Sequence, residues 1–594
     1  MALKAFFRII LLAAALLPPV WLKAAENNFN GVEIRLQPYV GAQGKNGYMA
    51  HGFLLKNTTG SAREVLVSID NVNEGYQQSL EGITKALVIP PQTVVRTNLF
   101  QPPLNIPSSR VSLTVNGKYF NHDQVGIFPY DVKTPYYARW HGDDKRIFLV
   151  SQSIPQNANG TVFSSSGVAS SPGYRAKGNK PQDILSFEWT PLPVEQWSDN
   201  WLSYSSYHGV IVAEADRARM PSAVADALKQ YVASGGMLMV IGGTPPPGGF
   251  KSAEHANQLK LQVYGFGTVA HSAKETSRFT DDDWFELNAV SAPSAAINKF
   301  PGTISNDAMA GSFPVLDNMK VPFRQLFLIM LLFVVVIGPL NIFILMRKKK
   351  MIWILWTTPA IAVVFSLLVV FYSIFSEGWH SRVRINAVTL LDEGGQTAAT
   401  LAIQGYYCPL PPGGLRFPDT AMVLPLKVDN GKNAGIDWSN GQRFNPGWVK
   451  SRIPAYFILR NVESRRERLK IVSQDAAATE VVNGLGATLE NLQLVGPGGI
   501  LYKASDVIRP GEKARLRASG KIPATSQAAS SPRNIASGLM NHINNYPALV
   551  KMLRPGTYCA TMKGTPFISP AIKPGELKEE SLIYGIIPDA GGVK

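Results

Sequence analysis

Residues 326–346 and 352–375 form two apolar runs without a single charged side chain, and each has about the 20 residues a helix needs to cross a bilayer's hydrocarbon. The five residues between them are Arg347, Lys348, Lys349, Lys350 and Met351. Four cations in so short a loop predict a cytoplasmic turn, because cationic loops stay on that side. Pro339 and Pro359 would break helices in water. Inside a membrane, a neighbouring helix can satisfy the freed backbone groups, so they predict two helices packed as a hairpin. Asn341 reads as interhelical glue, with a polar relay as the alternative.

The N-terminus has the order of an export signal. Lys4 and Arg8 precede an apolar run at 9–17, then Pro18 and Pro19, then Ala24 and Ala25. That run is too short to span, so residues 1–25 read as a cleaved signal peptide. Residues 26–325 and 377–594 then lie outside the cytoplasm, with the hairpin between them. The compartment is oxidising, and there Cys408 and Cys559 are expected to form a disulfide, the alternative being two buried thiols.

Charged residues are 17% of the chain against 45% hydrophobic, which suits a chain with a few lipid-embedded segments. The net charge of +16 is scattered rather than striped, and the Arg465, Arg466, Arg468 and Lys470 cluster is interleaved with Glu463 and Glu467. This pattern reads as a solvated surface near anionic lipid and argues against nucleic acid.

The exported regions differ in rhythm. Residues 26–140 alternate in short runs between Gly, Pro and Asn turns, predicting a β-sandwich, with a hairpin turn at Asn57-Thr58-Thr59-Gly60. Residues 141–300 switch to apolar strands at 146–150, 185–189, 208–213 and 237–241. A helix after Pro221 carries Val224, Leu228, Tyr231 and Val232 on one face and ends at Gly235-Gly236. This predicts a doubly wound α/β unit with a parallel sheet. A linker at 301–325 leads into the membrane. Residues 377–594 return to alternation and predict one or two β-sandwiches, with a short helical element near 534–553.

The segment His208-Gly-Val-Ile-Val-Ala-Glu, the Pro221 helix and Ala233-Ser-Gly-Gly-Met-Leu-Met-Val-Ile-Gly-Gly243 resemble the class I glutamine amidotransferase-like fold. Together with Gly338-Pro339-Leu340-Asn341 in the first span, they are similar to bacterial envelope proteins in which that domain precedes a two-helix hairpin and a β-rich tail. The resemblance implies an inner-membrane location, a periplasmic face and membership of an envelope assembly. It further implies encoding beside AAA-type ATPases and von Willebrand factor A proteins. The C-terminal region has the cadence of an immunoglobulin-like module. True amidotransferases need a cysteine nucleophile with a histidine, and residues 141–300 contain no cysteine.

Other chemistry is thin. Lys251-Ser252 follows Phe250 rather than the last glycine of a phosphate loop, and the histidines lack zinc spacing. Asp143-Asp144 and Asp281-Asp282-Asp283 lack the spacing of a calcium loop. Trp189, Trp197 and Trp201 read either as a sugar-stacking platform or, for the last two at i and i+4, as the inward face of a helix. The expectation is a non-catalytic, membrane-anchored scaffold without cofactor or metal. Its partners would be the lipid bilayer and other envelope proteins, and a homo-oligomer stays open. The alternative is a cell-wall or polysaccharide-binding protein, or a hydrolase, using the α/β cleft. A transporter is disfavoured because two uncharged spans make a poor pathway.

Overall fold

The computed structural model of the chain describes residues 28–37, 47–71, 80–103, 109–127, 146–154, 185–242, 250–256, 259–274, 306–316, 323–377, 380–426, 434–496, 498–521 and 546–588. The signal-like N-terminus, Asp143-Asp144, residues 243–249, Asp281-Asp282-Asp283 and most of the helical element expected near 534–553 lie outside them.

In the N-terminal region, alternation produces β1 (Asn28–Phe29), β2 (Val32–Leu36), β3 (Met49–Asn57), β4 (Arg63–Asn71), β5 (Gly82–Ile89), β6 (Val94–Gln101), β7 (Ser109–Val115) and β8 (Lys118–Phe120). One sheet runs β1-β2-β3-β6 and the other contains β5-β4-β7-β8. Phe53 and Leu55 from the first, and Val65, Val67, Val111 and Leu113 from the second, are buried, as two facing apolar surfaces require.

The expected hairpin at Asn57 is instead the corner where the chain passes between the sheets, since β3 and β4 belong to different ones. The physical reason is the Asn57 side chain, which is fully buried. Its amide donates to the Ser61, Ile89 and Pro90 carbonyls at 2.8–3.1 Å and its oxygen accepts from Thr59 N at 2.9 Å, so it holds an arch that a two-stranded turn would leave open.

The α/β unit has β9 (Arg146–Val150), β10 (Leu185–Trp189), β11 (Gly209–Ala213), β12 (Met237–Ile241), β13 (Phe250–Ala256), β14 (Leu259–Tyr264) and β15 (Gly267–Ser272), in the order β10-β9-β11-β12-β15-β14-β13. The first five in that order are parallel and the last two are an antiparallel edge. Helix α1 (Glu214–Arg219) follows β11 at once. Helix α2 (Ser222–Ala233) starts directly after Pro221 and buries Val224, Leu228, Tyr231 and Val232. It stops at Gly235, whose φ of +121° suits only glycine.

After the apolar helices come β16 (Arg382–Asp392), β17 (Thr397–Tyr407), β18 (Leu415–Phe417), β19 (Met422–Pro425), β20 (Ile436–Asp437), β21 (Gln442–Phe444) and β22 (Ala455–Ser464). They are followed by β23 (Arg468–Gln474), β24 (Ala478–Gly484), β25 (Thr488–Val495), β26 (Ile500–Lys503), β27 (Lys513–Lys521), β28 (Thr557–Lys563) and β29 (Glu576–Ile586). Eight of these join β19, β22 and β17 in one 11-stranded sheet, β19-β22-β17-β16-β29-β28-β25-β26-β27-β24-β23. A short helix, Tyr546–Lys551, precedes β28.

The remaining three C-terminal strands leave this sheet. β18, β21 and β20 add to the N-terminal sheet in the order β18-β21-β20-β5-β4-β7-β8, with Ile436 beside Ile83 and Asp437 beside Thr84. The N-terminal sandwich is therefore completed by residues more than 300 positions away, rather than closing within 26–140 as its sequence pattern suggests.

The apolar runs are helical. Phe323–Val335 passes through a wider turn at Val336–Leu340, which accommodates Pro339, into Asn341–Arg347; after a tight turn, Ile354–Glu377 follows. The stretches Phe327–Arg347 and Met351–Tyr372 are long and apolar enough to cross a membrane. Their large side chains face outward, with Leu355 74% and Trp356 76% exposed. Asn341 donates to Thr357 Oγ1 of the other helix at 3.0 Å, which is the interhelical bond its position suggested.

Candidate functional site

Ligands of open parallel sheets sit beyond the carboxyl ends of the strands, where consecutive connections leave in opposite directions. Here that point lies between β9 and β11, because β10 flanks β9 on one side and β11 on the other. Three residues meet there. Ser153 follows β9, and Asp216 and Arg219 come from α1.

Asp216 is fully buried and points back at the β9 loop. It accepts from Ser153 N at 3.1 Å, Ser153 Oγ at 2.5 Å and Arg219 at 2.6 Å. Burial pushes its carboxyl up, but hydrogen bonds from the Ser151 and Ser153 hydroxyls and from Arg219 outweigh that, so it stays ionised below the usual carboxylate range. Ser151 Oγ accepts from Ala213 N at 3.2 Å, tying β9 to the start of α1.

The hydrogen bonds that keep Asp216 ionised also lower its proton affinity, so it is a weak base for activating Ser153. His208 Nδ1 accepts from Ile147 N at 3.0 Å, and His271 Nε2 lies 3.1 Å from the Gly242 carbonyl. The Ser153–Asp216–Arg219 cluster thus ties the β9 loop to α1 across the switch point. Among the described residues no cluster of three His, Cys, Asp or Glu side chains could hold a metal ion.

The tryptophans do not form a platform. Trp197 and Trp201 belong to two separate tight turns rather than one helix, and both are buried. Trp197 donates to Leu192 O at 3.1 Å, and half-buried Trp189 donates to Ile154 O at 3.2 Å. Trp201 reaches furthest: its indole donates to Thr420 O at 2.7 Å, bolting the α/β unit to the C-terminal region.

Trp201 is one member of a seam that sequence reasoning missed. Tyr48 of the N-terminal region is fully buried; its hydroxyl donates to Val423 O at 2.8 Å and accepts from Val423 N at 3.0 Å and Gln442 Nε2 at 2.5 Å. Burial raises this phenol well above its usual range, against those hydrogen bonds, so it stays neutral. Trp438 donates to Phe100 O at 3.0 Å and packs edge-on against Phe100 and Tyr48. Ser439 Oγ accepts from Ala86 N at 2.8 Å. Arg460 of β22 is buried beside Tyr231 of α2; burial lowers it to about 10, and Tyr231 pulls the other way. No periodicity marks these residues, whose partners lie hundreds of positions off. The only local signal is an excess of aromatic and amide side chains in segments too short to be sandwich strands alone.

The expected disulfide is absent. Cys408 and Cys559 are free and buried. Register explains why they cannot pair within one chain. Cys559 lies beside Tyr584, Tyr584 beside Leu390 and Leu390 beside Ala399, so three ladders separate Cys559 from β17. Cys408 stands nine residues beyond Ala399, just past the end of β17 and about 30 Å away at strand rise, whereas bonded cysteines need Cα atoms within about 7 Å. Burial pushes the Cys408 thiol up to about 11 and the Cys559 thiol up to about 12, which leaves both unreactive.

Arg347, Lys348, Lys349 and Lys350 are exposed at the turn between the apolar helices, with Lys350 over the Trp353 ring at 5.6 Å.

No family model and no curated protein matches the chain. Among solved structures, the yeast delta-COP-I mu-homology domain complexed with a Dsl1 WxWxV peptide is similar over 35% of this chain and 97% of that one, at 7% identity and a TM-score of 0.18. So loose a likeness carries no argument about this chain.

Proposed function

We propose that this chain is a non-catalytic scaffold or interaction subunit of a bacterial envelope complex, anchored in the inner membrane by its two apolar helices. The seam carries this reading. β20 and β5 pair across a gap in sequence that contains both helices, and a hydrogen-bonded ladder cannot be built through a bilayer. The helices therefore enter and leave on one side, and the Arg347 to Lys350 turn puts that side outside the cytoplasm. Regions before and after the hairpin form one body, suited to presenting fixed surfaces. The Ser153–Asp216–Arg219 bonds tie the β9 loop to α1 at the switch point, which supports a structural rather than a catalytic use of these side chains.

The five parallel strands with an antiparallel edge support reading residues 141–300 as an amidotransferase-like domain whose chemistry has been lost. Partners of the von Willebrand factor A type follow from that resemblance. The test is crosslinking in intact cells, followed by mild-detergent purification and mass spectrometry. The scaffold predicts stoichiometric recovery of other envelope proteins. Recovery of the chain alone, or with bound polysaccharide, would move the assignment to a binding protein or hydrolase using the α/β cleft.

A further inference from the structure

The chain enters and leaves the apolar helices beside one end of the 11-stranded sheet. Seven residue steps separate Leu316 from Phe323, and five separate Glu377 from Arg382, where β16 begins. At full extension these tethers reach about 24 Å and about 17 Å. Both start from the same end. Arg384 donates to Pro314 O at 2.8 Å and lies over the Phe313 ring at 4.7 Å, while Arg382 pairs with Tyr407 and Glu576. If the helices span a bilayer, two short tethers hold this end against its surface.

The loops at this end are unlike the rest of the sheet's margin. The Cys408 loop carries Leu410, 65% exposed, and the loop before β22 carries Ile453, 43% exposed. A Cys408 to Ser451 bridge and the Arg452 N to Cys408 O bond of 2.8 Å hold the two loops side by side. Exposed Lys450 and Arg452 flank the apolar pair, and exposed Lys573 is tied to the start of β16 through Ser381, which donates to Lys573 O at 3.2 Å. At the start of β29, Glu576 is bonded to Arg382 at 3.0 Å.

We propose that this rim is a second membrane contact, in which Leu410 and Ile453 enter the headgroup region of an anionic bilayer while Lys450, Arg452 and Lys573 meet its phosphates. The inference rests on the anchoring role of the two helices. Apolar tips ringed by cations match the layering of that interface, where an anionic surface attracts cations. The contact fixes the tilt of the exported body relative to the bilayer.

The test uses full-length protein in nanodiscs of phosphatidylcholine with or without one part in three of phosphatidylglycerol. Single cysteines replace Leu410, Ile453, Ser464 at the far end of the sheet, or Val363 in the second span, and carry nitroxide labels. The unaltered chain, whose own thiols are buried, supplies the blank. Leu410→Cys and Ile453→Cys should be more accessible to oxygen than to a water-soluble nickel chelate, more so with the anionic lipid, while Ser464→Cys stays chelate-accessible. Chelate-dominated access at Leu410→Cys and Ile453→Cys, with Val363→Cys oxygen-dominated, would overturn the rim contact and leave the anchoring intact. Chelate-dominated access at Val363→Cys would remove both.

Discussion

At the scale of single residues, Glu393 makes the most specific demand on conditions. It sits in the β16–β17 turn, accepts from Leu469 N and Tyr558 Oη at 2.8 Å each, and burial raises its carboxyl to about 7 in spite of those bonds. The folded chain holds this proton more tightly than the unfolded one. Its contribution is therefore complete below about pH 4.5 and is lost as pH rises to about 7, a change on the order of 3 kcal/mol. His51, lowered to about 4 by burial against the pull of Gln101, runs the other way and loses stability as pH falls from about 6.5. The two trends offset in the parent, so the readout is the difference between Glu393→Gln and parent thermal midpoints. That difference should favour the variant more at about pH 8 than at about pH 5, and a pH-independent difference would contradict the assignment. Asn57→Ala removes the amide that holds the sandwich corner and leaves carbonyls without a donor, so it should cost about 2–3 kcal/mol of unfolding free energy, measured by denaturant titration. Denatured chains that were never reduced should give two titratable thiols, as expected of cysteines held three ladders apart; none would mean the pair had bonded.

At the scale of elements, what was legible in the sequence was what local periodicity encodes. The runs at 146–150, 185–189 and 237–241 are strands with the expected bounds, and the Pro221 helix buries the face its spacing marks. Alternation also reveals β2, β4, β6 and β7, because each has one face on a core. It fails for β18, β20 and β21, which are two or three residues long and take their places from Tyr48, Trp438 and Gln442 rather than from any pattern of their own. It also fails at Asn57, where a sequence suited to a turn is held as an arch by contacts 32 and 33 positions away. The cleft was legible only as a negative: the missing cysteine was visible, but the Asp216 bonds arise only when the fold brings Ser153 and α1 together. Tyr48→Phe tests the seam at this scale. It leaves Val423 O, Val423 N and Gln442 without their shared hydroxyl in a buried interface, which should cost about 2–4 kcal/mol and speed proteolysis of 415–444. Unchanged stability would mean the seam is dispensable.

At the scale of the whole molecule, the regions before and after the two apolar helices share one sheet through β5 and β20, as the proposed one-sided arrangement requires. A protease site introduced into the Arg347 to Lys350 turn should yield two fragments that stay together in mild detergent, because β5 and β20 hold them; separation would contradict the shared sheet. The central claim is that both halves stand on one side of a bilayer with the cationic turn on the other. An impermeant thiol reagent applied to intact spheroplasts tests it most directly, using Val94→Cys before the helices, Ser464→Cys after them and Lys349→Cys in the turn, with the parent's buried thiols as the blank. The account predicts that Val94→Cys and Ser464→Cys label at once and Lys349→Cys only after lysis. Labelling of one half without the other, or of Lys349→Cys in intact spheroplasts, would contradict it.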